Sequence, residues 1–270
     1  MEGPYSVLRG ILRDLGPCLV AFSGGVDSTF LLRVAHDVLG DGVTAVTAVS
    51  PSLAAGERQE AEDLARLIGA RHLLVQTGEL DDPRYVRNDG SRCYYCRSEL
   101  FRVLGALLAS AGGGTIVYGA ITDDLGDDRP GMRAAAESGV RAPLIEAGLT
   151  KAMIRVLSRR LGLPTWNKPA MACLASRIPR LVPVTRDDLW RVERAEAAVR
   201  ALGYRQVRVR MQGRDARVEL DHDGLLRCAP PRARRRLILA VRSAGFLQVV
   251  VDPQGYRPGG RPPAPPAPMV

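Results

Sequence analysis

The sequence predicts an α/β protein in which a parallel-sheet domain is followed by a small α+β domain. In the first half of the chain, apolar strand-like runs alternate with amphipathic helical segments, which is typical of βαβ units and a parallel sheet. A glycine turn at residues 23–28 joins the first apolar run to a helical pattern, as at the start of such a unit. From about Pro179 onward, short runs with period-two alternation follow a helical segment, which indicates the change of fold class.

Four strands of the parallel sheet are predicted from apolar runs. They cover residues 18–22, 43–49, 71–76 and 115–120, and an amphipathic helix is predicted over residues 54–68. Ligands of a parallel sheet gather at the carboxyl ends of its strands. The sequence therefore predicts a site near Ser23, Ser50 and Ala120.

The small domain is predicted from a second set of segments. Helices are predicted over residues 186–202 and 231–244, and strands over residues 206–211, 216–220 and 246–251. We accordingly assign residues 1–178 to the parallel-sheet domain and residues 179–257 to the small α+β domain. Residues 258–270 are rich in proline, and we expect this tail to be disordered.

The turn after the first strand has the chemistry of a phosphate cradle. Its residues are Ser23, Gly24, Gly25, Val26, Asp27 and Ser28. The glycines let the backbone bring N–H groups close to an anion, and the serines add hydroxyl donors at the positive end of the following helix. Neither the Gly-Lys-Ser/Thr of a Walker loop nor the GxGxxG of a dinucleotide fold is present. The alternative is an ordinary βα turn, which glycine pairs alone often form.

The composition is that of a globular protein with a packed core. The 270 residues are 46% hydrophobic and 25% charged. The N-terminal residues lack a signal-peptide pattern and no apolar run reaches membrane-spanning length, so we expect a cytoplasmic protein without a membrane partner. Five cysteines, an odd number, favour reduced thiols or a metal site over a disulfide framework.

The formal net charge of +9 raises the question of a nucleic-acid partner. The densest arginine run, at residues 232–236, is equally typical of a solvated helix face, and few aromatic residues are interleaved for base stacking. We therefore expect a small anionic substrate and ATP, and no nucleic acid. Only Lys151 and Lys168 are lysines among 38 basic residues, which indicates positions where a compact ammonium is needed, although chance survival would give the same pattern.

Three cysteines carry a second chemical signal. Cys93 and Cys96 form a CxxC motif, and Cys173 lies far along the chain. A lone CxxC is compatible with redox activity, a structural zinc or coincidence. Three thiolates brought together can hold three corners of a [4Fe–4S] cluster and leave one iron open to an exogenous ligand. Cys18 and Cys228 are interpreted as packing or surface thiols.

Four motifs and the phosphate loop together resemble one known family. The loop is similar to the SGGxDS loop of PP-loop enzymes, which cleave ATP to AMP and pyrophosphate. The motifs are Arg-Cys-Tyr-Tyr-Cys-Arg-Ser-Glu-Leu-Phe at residues 92–101, Asp-Leu-Gly-Asp-Asp-Arg-Pro-Gly at 124–131, Cys-Leu-Ala-Ser-Arg-Ile-Pro at 173–179 and Gln-Gly-Tyr-Arg at 254–257. With the loop, they resemble the LarE family of ATP-dependent sulfur transferases.

The resemblance implies a fold and an activity. The fold is a PP-loop ATP pyrophosphatase domain, of the adenine nucleotide alpha hydrolase-like kind, followed by the small domain. The activity is adenylation of the carboxylates of pyridinium-3,5-biscarboxylic acid mononucleotide and their conversion to thiocarboxylates during assembly of the nickel-pincer nucleotide cofactor. ATP and Mg²⁺ are the implied co-substrate and metal. One group in the family sacrifices the sulfur of a cysteine matching Cys173; another carries a [4Fe–4S] cluster on three cysteines, and Cys93, Cys96 and Cys173 place this chain with the second group.

The resemblance and the residue types also assign roles in the site. Cys173, Asp27 and Ser176 are the predicted catalytic residues, and Ser50, Asp123, Asp124 and Arg177 join the phosphate loop as predicted nucleotide or metal contacts. Helix capping is the alternative role for Asp123 and Asp124, and the Thr-Asn pair that the family has nearby is missing from residues 119–124. Substrate contacts are predicted for Lys168, Arg208, Arg210 and Glu219, of which the paired arginines resemble those that hold the substrate phosphate.

The remaining expectations concern partners and rival functions. The family resemblance implies a homo-oligomer and partners in nickel-pincer cofactor assembly. One rival is a PP-loop tRNA thiolase, which would need a nucleic-acid footprint. The other is a non-catalytic sensor that binds ATP or a cluster without releasing pyrophosphate.

Overall fold

The computed structural model describes residues 2–126, 129–170 and 172–257. The chain divides into two compact units: the first holds the chain up to Ala175 together with Arg180–Leu189, and the second holds Ser176–Pro179 and the chain from Trp190 onward. The boundary after residue 178 stays a prediction, and the tail at residues 258–270 lies outside the described residues. Within the described ranges, no helix combines the length and the apolar character needed to cross a lipid bilayer.

The first unit is built on a four-stranded parallel sheet, which confirms the predicted fold class. The strands are β1 (Cys18–Ala21), β2 (Val43–Val49), β3 (Arg71–Gln76) and β4 (Thr115–Tyr118), and their order in the sheet is β3-β2-β1-β4. Cys18 pairs with Val43 on one side and with Thr115 on the other, so β1 lies between β2 and β4. Strands β1 and β4 end one and two residues earlier than predicted.

Helices cover both faces of this sheet. Cys18 and Val20 of β1 belong to one buried cluster, whereas Leu19 and Ala21 belong to another, as alternation along a strand requires. The helices of the unit are α1 (Glu2–Leu15), α2 (Val26–Leu39), α3 (Ala55–Ile68), α4 (Pro83–Val86), α5 (Arg92–Ser110), α6 (Pro130–Glu137), α7 (Pro143–Glu146) and α8 (Lys151–Arg160). Short 3₁₀ turns lie at Gly40–Gly42, Glu79–Asp81, Thr122–Asp124, Pro164–Asn167 and Leu174–Arg177.

The second unit contains a three-stranded sheet of mixed direction. Its strands are β5 (Val207–Gln212), β6 (Asp215–Leu220) and β7 (Val249–Val251), with β5 antiparallel and β7 parallel to β6. Helix α9 (Arg186–Ala201) precedes the sheet, and α10 (His222–Cys228) and α11 (Pro231–Arg242) lie between β6 and β7. Strand β7 begins three residues later than predicted, because Leu247 N–H and Gln248 N–H bond to Arg214 and Asp215 at the turn between β5 and β6.

A buried ion pair in the second unit joins Arg177, before α9, to Glu196 of α9, which also accepts a hydrogen bond from β5. Arg177 is 1% exposed and Glu196 is fully buried. Glu196 accepts hydrogen bonds from Arg177 Nε at 2.8 Å and Nη2 at 3.1 Å, from Arg200 Nη2 at 2.8 Å and from the backbone N–H of Val209 at 3.0 Å. The carboxylate therefore has four donors, which compensate for the cost of burying its charge.

Replacement of Glu196 is expected to show how much this ion pair contributes to the free energy of unfolding. Glu196→Gln removes the carboxylate charge that is paired with the buried Arg177 guanidinium, so the free energy of unfolding should fall by about 3–5 kcal/mol in denaturant titrations. Arg200→Gln is the matched control, because Arg200 is 37% exposed in its pair and its loss should cost no more than about 1 kcal/mol. Equal losses in the two variants would contradict this ranking.

Candidate active site

The phosphate loop connects β1 to α2 as the sequence predicts. Gly24 has a φ of +66°, a conformation that favours glycine, and a side chain there would come within 3.3 Å of Ala61 Cα on α3. Ser23 Oγ and Ser28 Oγ lie 3.1 Å apart, and Ser28 Oγ also donates to the carbonyl of Gly25 at 3.3 Å. No described side chain caps α2, which begins directly after Gly25. The N-terminal N–H groups of α2 are therefore available to donate hydrogen bonds to an anion bound in the loop.

The backbone on either side of the loop is fixed by the sheet. Thr47 Oγ1 donates to the carbonyl of Phe22 at 2.8 Å and lies 2.8 Å from His72 Nε2. Since the Thr47 hydroxyl has one proton, His72 must donate through Nε2–H, and burial lowers the pKa of this histidine, which favours the neutral form. On the other side, Gly119 approaches so closely that an added Cβ would lie 2.9 Å from the backbone nitrogen of Ser28. The loop is thus held between β2 and the end of β4.

Both lysines of the chain contact the phosphate loop. Lys151, the first residue of α8, places Nζ 2.8 and 2.6 Å from the two carboxylate oxygens of Asp27. Lys168 donates from Nζ to the carbonyl of Gly24 at 2.8 Å and pairs with Glu60 at 2.9 Å. Two compact ammonium groups therefore lie at the loop, where they would oppose the negative charge of a bound polyphosphate.

The ionisation of Asp27 depends on its lysine partner. Burial raises the pKa of Asp27 above its usual value, the Lys151 ammonium lowers it, and the nearby charge of Asp124 raises it. Burial has the largest effect, so the ionised carboxylate is held at a cost in free energy. A cation at this position, whether Lys151 or a metal that accompanies ATP, would reduce that cost.

The predicted contacts at the other strand ends are engaged in local hydrogen bonds. Asp123 accepts from the backbone N–H of Lys151 at 2.9 Å, and Asp124 accepts from that of Ile121 at 3.0 Å and pairs with Arg129. These bonds match the helix-capping alternative, because Lys151 begins α8 and Ile121 precedes a 3₁₀ turn. Their predicted roles toward metal or ribose stay predictions.

The three predicted cluster cysteines lie in the first unit. Cys93 and Cys96 share the first turn of α5, with Cys93 exposed and Cys96 half-buried, and Cys173 is exposed just before the 3₁₀ turn at Leu174–Arg177. Burial raises the pKa of Cys96 to about 12, and the charges of Glu79, Cys173 and Cys93 act on it as well. The pKa of Cys96 is thus shifted chiefly by burial of its thiol.

Backbone contacts tie the two cysteine segments to each other and to the sheet. Arg92, next to Cys93, donates from Nη1 to the carbonyl of Ala175 at 2.9 Å and to Asn88 Oδ1 at 2.5 Å. Leu174 N–H donates to the carbonyl of Ser52 at 2.9 Å, just beyond the end of β2. The thiols thus lie at the same edge of the sheet as the phosphate loop, since β1 and β2 are parallel neighbours.

A buried carboxylate lies beside the thiols. Glu79 is 3% exposed and accepts a hydrogen bond of 2.5 Å from Ser50 Oγ, at the end of β2. The hydroxyl of Ser50, which was predicted to contact the nucleotide or a metal, therefore donates its hydrogen bond to Glu79. Within the described ranges, no group of three or more His, Cys, Asp or Glu side chains is arranged to hold a single metal ion.

The remaining predicted residues are brought together in the second unit. Arg210 donates from Nη1 to the carbonyl of Ser176 at 2.8 Å and from Nε to Glu219 Oε2 at 3.1 Å. The Arg208 guanidinium lies over the ring of Tyr256, with Cζ 5.4 Å from its centroid. Arg177 donates to Ser176 Oγ at 3.0 Å, in addition to its buried pair with Glu196.

Sequence reasoning did not assign a site role to Lys151, Glu79 or Glu196. The scarcity of lysine marked Lys151 as unusual, and this was the signal that could have placed it at the loop. Glu79 and Glu196 carry no comparable signal, because glutamate is common and their partners are remote in sequence.

Comparison with known proteins gives three relatives over nearly the whole chain, while no protein-family model matches. The chain is 43% identical over 259 residues to an uncharacterized protein of Synechocystis, covering 96% of this chain and 97% of the relative. It is 37% identical over 257 residues to the pyridinium-3,5-bisthiocarboxylic acid mononucleotide synthase of Lactiplantibacillus plantarum, covering 94% and 92%. It is 24% identical over 239 residues to an uncharacterized protein of Methanocaldococcus jannaschii, covering 88% and 90%.

The two loop glycines are expected to respond differently to substitution. Gly24→Ala places an L residue at a φ of +66° against α3, and should lower the free energy of unfolding by about 1–2 kcal/mol and weaken ATP binding. Gly25→Ala is the matched control, because Gly25 has a φ of −78° and its nearest contact is Ser23 Oγ at 3.4 Å. Denaturant titration and nucleotide titration measure both effects, and indistinguishable variants would contradict the role of the Gly24 conformation.

Proposed function

Because the chain belongs to the LarE family, that of pyridinium-3,5-bisthiocarboxylic acid mononucleotide synthases, we propose that it is an ATP-dependent sulfur transferase of nickel-pincer cofactor biosynthesis. In this proposal it adenylates the carboxylates of pyridinium-3,5-biscarboxylic acid mononucleotide and converts them to thiocarboxylates. What supports the proposal is that the phosphate loop and the segments that carry Cys93, Cys96 and Cys173 lie at one edge of the parallel sheet.

Adenylation provides the leaving group that a carboxylate lacks. A carboxylate resists nucleophiles, because its charge is delocalised and it has no leaving group. Attack of a carboxylate oxygen on the α-phosphorus of ATP forms a C–O–P linkage and releases pyrophosphate, so that AMP becomes the leaving group. The N–H groups at the start of α2 and the hydroxyls of Ser23 and Ser28 would receive the departing pyrophosphate.

We assign to Lys151 the role of neutralising the negative charge of the pyrophosphate leaving group. Its ammonium is held over the loop by both oxygens of Asp27, and so it is oriented before ATP arrives. Lys168, bonded to the carbonyl of Gly24, supports the loop itself and adds a second positive charge. Mg²⁺ would enter with ATP, and the carboxylate of Asp27, a residue of the loop, is its candidate protein ligand.

The second step needs a sulfur nucleophile near the activated carboxyl group. Sulfide attacks the carbonyl carbon, a C–S bond forms, the C–O bond to AMP breaks, and the product is a thiocarboxylate. The three thiols of Cys93, Cys96 and Cys173 fit a [4Fe–4S] cluster in their chemistry, and such a cluster would supply, when bound, an iron with an open position for sulfide. The hydrogen bond from Arg92 to the carbonyl of Ala175 links the segment of Cys93 and Cys96 to that of Cys173.

The second unit provides the candidate substrate contacts. Arg208 and Arg210 lie on one face of β5 and would bind the phosphate of the mononucleotide, while Ser176 is fixed beside them by Arg210 and Arg177. A homo-oligomeric state and partners in cofactor assembly stay predictions of the family resemblance, and the cytoplasmic location stays a prediction of the sequence pattern.

The adenylation step is tested by replacing the loop lysine. Lys151→Gln should lower pyrophosphate release in the presence of ATP and the biscarboxylic acid mononucleotide by on the order of 100-fold, because the cation that neutralises the leaving group is lost. Arg160→Gln removes an exposed charge from the same helix and should release pyrophosphate at the wild-type rate. Wild-type protein that binds ATP without releasing pyrophosphate would contradict the enzyme proposal and favour a sensor.

The sulfur source is tested by metal analysis after strictly anaerobic purification. A three-cysteine cluster predicts about four iron atoms and acid-labile sulfide per chain, lost in Cys96→Ala and retained in Cys228→Ala, whose thiol is buried in the second unit. Iron-free protein that transfers sulfur once, with Cys173 losing the mass of H₂S, would instead establish a sacrificial cysteine and exclude the cluster proposal.

A further inference from the structure

One face of the β5–β6 ribbon carries an unusual concentration of arginine. Arg208 and Arg210 of β5 share this face with Arg217 and Glu219 of β6, while the opposite face is apolar. In the antiparallel register, Arg208 lies opposite Glu219 and Arg210 lies opposite Arg217. Like charges directly opposite one another destabilise a sheet, so the pair of arginines requires an anion between them.

Glu219 supplies that anion within the protein. Its Oε2 accepts from Arg210 Nε at 3.1 Å, and its Oε1 accepts from Arg217 Nη2 at 3.3 Å. The side chain of Glu219 is only 9% exposed, so the three charged groups interact in a region from which most water is excluded. A single carboxylate thus bridges two opposed guanidinium groups.

Arg217 is left with an unsatisfied donor. Its Nε is buried and has no hydrogen-bond partner among the described residues, since its ion pair with Asp252 Oδ2, at 3.7 Å, is too long for a hydrogen bond. A buried charged donor without an acceptor costs free energy that a ligand oxygen would recover. This unfilled donor, beside two arginines that already have roles in the proposed function, indicates that the face is built for a further anion.

We propose that Arg217 is a third arginine of the substrate-phosphate site, with Arg208 and Arg210, and that Glu219 is an internal anion which the substrate phosphate displaces. The inference rests on the proposed function for the identity of the substrate. A phosphate monoester carries close to two negative charges at neutral pH and offers three acceptor oxygens, whereas Glu219 offers one charge and two oxygens. The phosphate can therefore satisfy Arg210 and Arg217 together and reach the donor that Glu219 leaves unfilled.

Calorimetric titration of the full-length protein with nicotinic acid mononucleotide, a pyridinium carboxylate mononucleotide, tests the inference. Arg217→Gln should weaken binding by about tenfold, because charge-assisted bonds to phosphate are lost. Glu219→Gln should tighten binding several-fold, since the competing charge is removed while the side-chain shape is kept. A purely structural role of these residues would not produce opposite effects. Arg214→Gln, which removes an exposed arginine from the β5–β6 turn, should change affinity by less than about twofold.

Two further ligands identify the group that is bound. The corresponding nucleoside, which lacks the phosphate, should bind the wild-type protein and the Arg217→Gln variant equally weakly. Equal wild-type affinity for nucleoside and mononucleotide, or unchanged mononucleotide affinity in Arg217→Gln, would overturn the inference. A loss seen with AMP and absent with the mononucleotide would overturn the assignment to the substrate phosphate. If binding behaves as expected but sulfur transfer is absent, the anion site stands and the proposed function fails.

Discussion

The parallel pairing of β1 with both β2 and β4 is the constraint on which the first unit depends. Because three neighbouring strands run in the same direction, every loop that leaves their carboxyl ends emerges at one edge. The phosphate loop leaves β1, Ser50 and Ser52 follow β2, and Gly119 follows β4 against the backbone of Ser28. The phosphate loop and the segments that follow β2 and β4 are thus brought to one edge chiefly by hydrogen-bonded backbone.

Charge is distributed differently in the two units. At the phosphate loop, the cations are compact ammonium groups held by single carboxylates or a carbonyl, an arrangement that a polyphosphate can enter by small rotations of the lysine side chains. In the second unit, planar guanidinium groups are fixed by stacking and by bidentate or bridging bonds. The first unit therefore carries flexible ammonium groups at its phosphate loop, whereas the second unit carries guanidinium groups that are fixed by several contacts.

The sequence predicted those parts of the structure that depend on neighbouring residues. The phosphate loop and the four parallel strands follow from glycine spacing and apolar runs, and their positions agree with the structure to within one or two residues. The contact of Lys151 with Asp27 joins residues 124 positions apart, and that of Arg92 with Ala175 joins residues 83 positions apart. Composition marked Lys151 as unusual without naming its partner. Asp123 and Asp124 show the converse limit, because a carboxylate at a strand end has the same sequence signature whether it binds a ligand or a backbone N–H.

The way in which the Cys173 segment is anchored affects which substitutions position 173 can accept during evolution. The bonds that hold it use the N–H of Leu174 and the carbonyl of Ala175, which are backbone groups that nearly any amino acid supplies. These two bonds therefore fix the residues that follow position 173 without using the side chain at that position. A cysteine that is consumed, one that ligates a cluster and a residue without sulfur can all occupy the same place on the same scaffold. The residue at position 173 can then differ between relatives through a single substitution, while the phosphate loop and the fold remain unchanged.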